Sequence, residues 1–289
     1  MKRFAFLILL LFSIPIYASH IVGGEIEFLH LQGFTYRINL IYYYDRINGQ
    51  LTDNPELQEP NLVLGIFRKS DDTQVMQVTL TWLYKTPVPY TQPDCSHGEI
   101  SSYKMTYTNV FTFNGASFDD PEGYYIIWAR CCRNYTITNI QSHDPVAGQA
   151  AGQTFYLEFP PMVVGGQPFV NSSPKDFPAL NDYACPTKPY YVDFAGTDPD
   201  GDSLAYTLVT PLSTVTVEAL PPITPRPYPD IQWVTGFDLD RIINGSPPLP
   251  EYPDLNITPA GFLRVTPRSQ GLYVFAVKVE QYRNKKKIG

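Results

Sequence analysis

One short stretch places three carboxylates at alternate positions around a glycine: Thr197-Asp198-Pro199-Asp200-Gly201-Asp202-Ser203. Hard cations such as calcium take several oxygen ligands, and Asp198, Asp200 and Asp202 are the residues expected to hold Ca2+. The loop is not an EF-hand, since it lacks that motif's 12-residue spacing and terminal glutamate. Asp193 and Glu280 are further acidic residues that could complete such a site, though nothing in the sequence places them there. The simpler reading, and the one the residues favour over a calcium-stabilised turn, is a plain tight turn between Tyr191–Ala195 and Ser203–Val209, where Asp and Gly are favoured by their backbone chemistry.

Cysteine is the second reactive type. Cys95, Cys131, Cys132 and Cys185 are candidates for disulfides, and four cysteines allow three full pairings. On a strand, the adjacent Cys131 and Cys132 point to opposite faces, which predicts different partners for them. A bond from Cys95 to either would close a loop of about 36 residues, worth roughly 3–4 kcal/mol on chain-entropy grounds. No CxxC spacing or nearby histidine pair supports zinc.

Two motifs imitate enzymes. Ile21-Val22-Gly23-Gly24 matches the activated N-terminus of trypsin-like proteases, and Gly201-Asp202-Ser203-Leu204 spells the GDSL esterase motif. Neither has its partners. The histidines are His20, His30, His97 and His143, with no TAAHC-like context, no GDSGGP nucleophile and no DxxH after position 204. A triad is defined by geometry and roles, so the chain reads as non-catalytic.

Arg130 and Arg133 flank the double cysteine, where they suit an anion clamp or, more simply, salt bridges. Trp82, Trp128 and Trp233 could line a sugar-binding face, but large aromatics at alternate strand positions suit a core better. Asn134, Asn171 and Asn256 begin N-x-S/T sequons, and Asp202-Ser203-Leu204 matches a short O-glycosylation signal.

The elements that position these residues follow from composition. Of 289 residues, 44% are apolar and 17% charged, enough for a sizeable core and too little charge for a disordered chain. A net charge of −7 without a basic stripe excludes a nucleic-acid footprint. The 28 prolines disfavour helix interiors and the 21 tyrosines favour pleated surfaces, so an all-β protein is expected. Residues 1–18 read as a secretory signal peptide, with Lys2 and Arg3 before the apolar run Phe4 to Phe12 and Ile16-Tyr17-Ala18 at the cleavage site. That run is too short to cross a membrane, and no later run is longer. An exported protein meets an oxidising environment, where disulfides persist.

Period-two patterns predict strands at Phe34–Tyr42, Leu62–Phe67, Gln74–Leu83, Tyr103–Phe113, Tyr124–Cys132 and Gln153–Phe159. A second set is expected at Tyr191–Phe194, Ser203–Val209, Ile231–Val234, Phe262–Thr266 and Leu272–Glu280, with proline-dense loops over 211–230 and 244–254. Pro160-Pro161 and Gly165-Gly166 mark the expected boundary between β-sandwich domains at 19–161 and 162–289. The second reads as C-terminally incomplete, since Ile288-Gly289 opens a return strand.

The opening Ser19 to Ile26 (SHIVGGEI), Tyr125 to Ile140 (YIIWARCCRNYTITNI), Asp198 to Leu208 (DPDGDSLAYTL), Tyr228 to Gly236 (YPDIQWVTG) and Gly271 to Gly289 resemble the N-terminal region of large secreted, gliding-motility-associated surface proteins of Bacteroidetes. Those proteins carry PKD or other Ig-like repeats and a C-terminal sorting domain. The resemblance implies two Ig-like or cadherin-like sandwiches in a secreted or cell-surface adhesion module, partnered by downstream repeats of the same polypeptide. It also implies a cysteine after Tyr44-Asp45, where this chain has Arg46. The alternative expectation is a carbohydrate-binding module of a secreted glycan-degrading enzyme, with glycans as partners.

Overall fold

The computed structural model describes residues 21–47, 59–90, 93–95, 98, 101–142, 151–179 and 183–289. The expected signal peptide therefore lies outside the described residues, as do His20, His97 and His143. The described chain is all-β, with short 3-10 turns at Pro93–Cys95 and Gly115–Ser117 as its only helical pieces.

Seven strands build one antiparallel sheet: β1 (Ile21–Gln32), β2 (Thr35–Asp45), β3 (Asn61–Arg68), β4 (Gln74–Pro87), β5 (Ser102–Thr112), β6 (Tyr124–Arg130) and β7 (Gln153–Phe159), in the order β1-β2-β5-β4-β3-β6-β7. Alternation sets the faces. Along β2, Tyr36, Ile38, Leu40, Tyr42 and Tyr44 are buried in one core cluster, while Arg37 between them is exposed. The cluster is dense in rings: Phe28 stacks on Tyr36 at 4.3 Å, and Tyr42 on Trp128 at 5.7 Å. A fully buried ring of this kind contributes about 1.5–3 kcal/mol. The sheet curls, so its edge strands β1 and β7 approach one another, with Phe28 and Phe159 only 4.6 Å apart.

The remaining strands are shorter. β8 (Val163–Val164) and β9 (Gln167–Pro168) form a hairpin turned by Gly165 and Gly166, both at positive φ. β10 (Tyr190–Asp193), β13 (Phe262–Val265) and β12 (Asn256–Ile257) make one three-stranded sheet. β11 (Ser203–Val209), β14 (Ala276–Arg283) and β15 (Lys286–Lys287) make another. Their inward residues, among them Tyr190, Tyr206, Leu263 and Val265, share a second core. The return strand is β15, and Ile288 continues it by donating its N–H to Gln281 O at 2.9 Å.

Two strand expectations need correction. Ile231–Val234 forms no strand; only Trp233 bridges, to Ile140. The last long strand starts at Ala276 and runs to Arg283, because Val274 gives its N–H to the Asn139 side chain instead of a strand neighbour. Asn139 belongs to residues 131–142, which leave the large sheet after β6 and enter the second half of the molecule. There Ile137 and Ile140 are buried with Ile231 and Val274. The proline-dense segment 211–230 lies over the outer face of β3, β6 and β7. Ile223 and Tyr228 pack on Phe67, Tyr125 and Ile127, and Arg226 bonds Asp72 at 2.6 Å.

Gly24 explains part of the protease look-alike: a Cβ there would lie 2.3 Å from Ile41 O and 2.8 Å from Tyr42 Cα, whereas one at Gly23 would meet nothing within 4 Å. Gly24→Ala is expected to cost about 1–3 kcal/mol by overpacking and Gly23→Ala far less; chemical denaturation of both variants measures the contrast. On the same strand, burial pushes the Glu25 carboxyl up to about 8, with Lys104 opposing, Glu27 adding and a Tyr43 hydrogen bond opposing. The native chain then binds this proton more tightly than the unfolded chain, so stability falls as pH rises from the ordinary carboxylate range towards 8. Glu25→Gln should melt higher than wild type at pH 9 and alike at pH 4. Equal melting curves at pH 9 would remove this account.

Candidate functional site

The acidic turn lies where β11 begins, and the structure brings its three carboxylates together within 4.8 Å. The backbone builds it as an Asx arrangement. Asp198 Oδ1 accepts the N–H groups of Asp200 at 2.9 Å and Asp202 at 3.0 Å, and Gly201 at positive φ closes the turn. β14 runs alongside and supplies the counter-groups. Gln281 Nε2 donates to Asp198 Oδ2 at 2.6 Å, while the Arg283 guanidinium holds Asp202 in a fork, at 2.7 and 2.6 Å. Asp200 Oδ2 accepts Ser172 N at 2.5 Å and lies 3.6 Å from Arg283.

That inventory decides how the turn meets a cation. Five of the six carboxylate oxygens already accept hydrogen bonds, and Asp200 Oδ1 alone has no partner among the described residues. Arg283 occupies the position of a counter-ion, and hydrogen bonding to Asp202 holds its guanidinium above its ordinary pKa. The three carboxylates group closely enough to hold a metal ion, but a calcium ion would have to displace that guanidinium. Asp193 and Glu280 do not complete the cluster: Asp193 accepts Ala195 N, and Glu280 pairs with Lys278 and Lys287. The turn is instead a clamp. Arg283 also bonds Val170 O and Asn171 Oδ1, while Ser172 and Ser173 accept His30 N and Phe28 N of β1.

The cysteines pair differently from expectation. Cys131 bonds Cys132, and Cys95 bonds Cys185. β6 ends at Arg130, so the adjacent cysteines lie beyond the pleat that would have turned them apart. Both are buried under the 211–230 segment, with Cys131 N facing Ala219 O at 3.4 Å. Cys95–Cys185 joins residues 90 apart, which on chain-entropy grounds is worth about 4–5 kcal/mol rather than the 3–4 of the shorter loop.

The flanking arginines are structural. Arg130 pairs with Glu59 at 2.5 Å, while Arg133 is buried and donates to Gly152 O at 2.8 Å and Leu212 O at 3.4 Å. Burial lowers the Arg133 guanidinium to about 10. Arg130 Nε and both side-chain polar atoms of Gln153, its cross-strand neighbour, are buried without hydrogen-bond partners among the described residues.

The remaining candidates separate. Ser203 is exposed and pairs with Tyr282 in the β11–β14 ladder; His30, the one histidine among the described residues, bonds Gly33 O on the β1–β2 hairpin. Trp128 is buried in the first core, and Trp82 and Trp233 pack against core clusters, so the tryptophans line no exposed face. Asn134 and Asn171 are buried, leaving Asn256 as the exposed sequon.

Sequence reasoning missed an exposed aromatic pair, Tyr191 and Phe262, on the outer face of the β10-β13-β12 sheet. The alternation of β10 and β13 was the signal for it, since residues flanking buried positions on a short strand must face outwards. Near the Cys95–Cys185 bond a cavity of about 720 Å3 is lined by Ile21, Ile137, Tyr190, Val265 and their neighbours, with no charged side chain among the described residues. Comparisons with known families, with curated proteins and with solved structures find no match.

Removing Arg283 tests the clamp. Arg283→Met strands Asp202, whose side chain is 3% exposed, without its countercharge. It should lower stability by about 2–3 kcal/mol, less than a fully buried pair because Arg283 is itself partly exposed. Millimolar calcium, compared with excess chelator, should leave the wild-type melting temperature unchanged. A calcium-dependent rise in wild type would show a metal in place of the guanidinium.

Proposed function

We propose that this chain is a non-catalytic structural and adhesion module of an exported protein, secreted or held at the cell surface. The observation that carries the reading is the Cys95–Cys185 bond, which ties β10's side of the molecule to the loop between β4 and β5. Cross-links of this kind form and persist in oxidising compartments, as a protein led out by residues 1–18 would meet. The residues with chemical potential support it too. Asp198, Asp200, Asp202, Arg130 and Arg133 are all engaged in holding the chain together, and Ser203 lies in a strand ladder. The resemblance to gliding-associated surface proteins supplies the adhesin context, with downstream repeats or neighbouring surface proteins as partners. Among the described residues no helix is long and apolar enough to cross a membrane.

Expression of residues 1–289 in a bacterial host, followed by fractionation and non-reducing peptide mapping, tests this reading. The expected product is extracytoplasmic, begins at Ser19, carries both disulfides and turns over no ester, peptide or glycoside substrate. Cytoplasmic retention with free thiols, or an esterase activity lost in Ser203→Ala, would overturn it.

A further inference from the structure

The β10-β13-β12 sheet buries one face and leaves the other open. Tyr190, Leu263, Val265 and Ile257 point into the second core, so Tyr191, Asp193, Phe262, Arg264 and Asn256 point out. Register fixes their layout: Tyr191 lies opposite Arg264, Asp193 opposite Phe262, and Asn256 opposite Arg264 on its other side. The two rings therefore sit on one diagonal, 5.8 Å apart and 21° from parallel, with exposures of 56% for Tyr191 and 44% for Phe262. The pair stacks across the two strands, yet both rings still leave much of their apolar surface in water.

From this arrangement we infer that the outer face of β10-β13-β12 is a binding site for neutral pyranosides of a polysaccharide. A pyranose presents a face of C–H groups, which the negative face of an aromatic ring attracts, and an edge of hydroxyls that both donate and accept. The patch carries both kinds of group, two exposed rings and polar side chains beside them. Arg264 and the Asn256 amide supply donors without partners among the described residues. Asp193 supplies an acceptor, one of its oxygens already oriented by Ala195 N at 3.0 Å. The Arg264 and Asp193 charges cancel, which favours a neutral ligand over a phosphate or a uronate. Size argues the same way. Three strands about 4.8 Å apart and four residues of about 3.3 Å each give a patch of roughly 10 by 13 Å. That spans a disaccharide and falls far short of the roughly 800 Å2 each partner gives a standard protein interface.

This extends the non-catalytic module reading and rests on it for the exported setting in which a polysaccharide is met. The test is affinity electrophoresis of the full chain in native gels containing xylan, glucomannan, hydroxyethylcellulose, laminarin or α-mannan, against a plain gel. At least one polysaccharide should retard the wild type. Tyr191→Ala and Phe262→Ala should abolish the retardation, and Arg264→Ala should weaken it at least tenfold. Tyr84→Ala, an exposed aromatic on the large sheet, should leave it intact. Unchanged melting temperatures would confirm that the variants are folded. The inference is overturned if no polysaccharide retards the wild type, if Tyr191→Ala migrates as wild type does, or if sedimentation shows a dimer that this variant dissolves. Release of new reducing ends would instead overturn the non-catalytic reading, so the two failures are distinguishable.

Discussion

A single buried amide organises the second half of this molecule. Asn139 has no exposed surface; its Nδ2 donates to Ile242 O at 3.0 Å and Val274 O at 2.8 Å, and its Oδ1 accepts Val274 N at 3.0 Å. Its own carbonyl accepts Val234 N at 3.1 Å. In a low-dielectric interior such bonds are strong when complete and costly when broken, so the amide fixes one arrangement against close alternatives. It fixes the entry of residues 131–142 against backbone that lies 103 and 135 residues further along the chain. Ile137 can then bridge Leu272, and Ile140 can bridge Trp233. The strands of the small sheets are short, and β12 buries only Ile257 while both residues of β15 are exposed, too little to form a stable core alone. The crossing segment supplies the apolar surface that they lack.

Three further fastenings work from other directions. The Cys95–Cys185 bond holds the approach to β10, Arg283 and the acidic turn hold residues 170–173 against β1, and Arg226 holds the proline-dense segment against Asp72. Each joins parts far apart in sequence. Together they account for most of the polar groups that looked chemical at first sight. The face carrying Tyr191 and Phe262 is left outside all of them.

Strands were legible where a half-buried sheet imposes period two. Ser203–Val209 and Gln153–Phe159 are reproduced to the residue, and β3, β4 and β5 to within a few. Legibility ended where long-range contacts took over from local pattern. Apart from Arg130, Tyr124–Cys132 is apolar throughout, and nothing local says that the chain leaves the sheet after Arg130, so a strand reading carries the adjacent cysteines to opposite faces. Ile231–Val234 has strand composition, but its neighbour is the crossing segment, not a ladder. The acidic turn was readable as a cluster of carboxylates; its cation was not, because Arg283 arrives from 81 residues away. The open aromatic pair escaped for the same reason, since its diagonal exists only through the register of β10 on β13.

The position of the Cys95–Cys185 bond has a bearing on damage. Any backbone cut between these residues leaves one fragment carrying Cys95 and the other Cys185, still covalently joined. The exposed Gly165-Gly166 hairpin lies within that stretch, an accessible turn of the kind that proteases nick. A nicked copy would keep both pieces and much of their packing, and would separate only where a reductant reaches the bond.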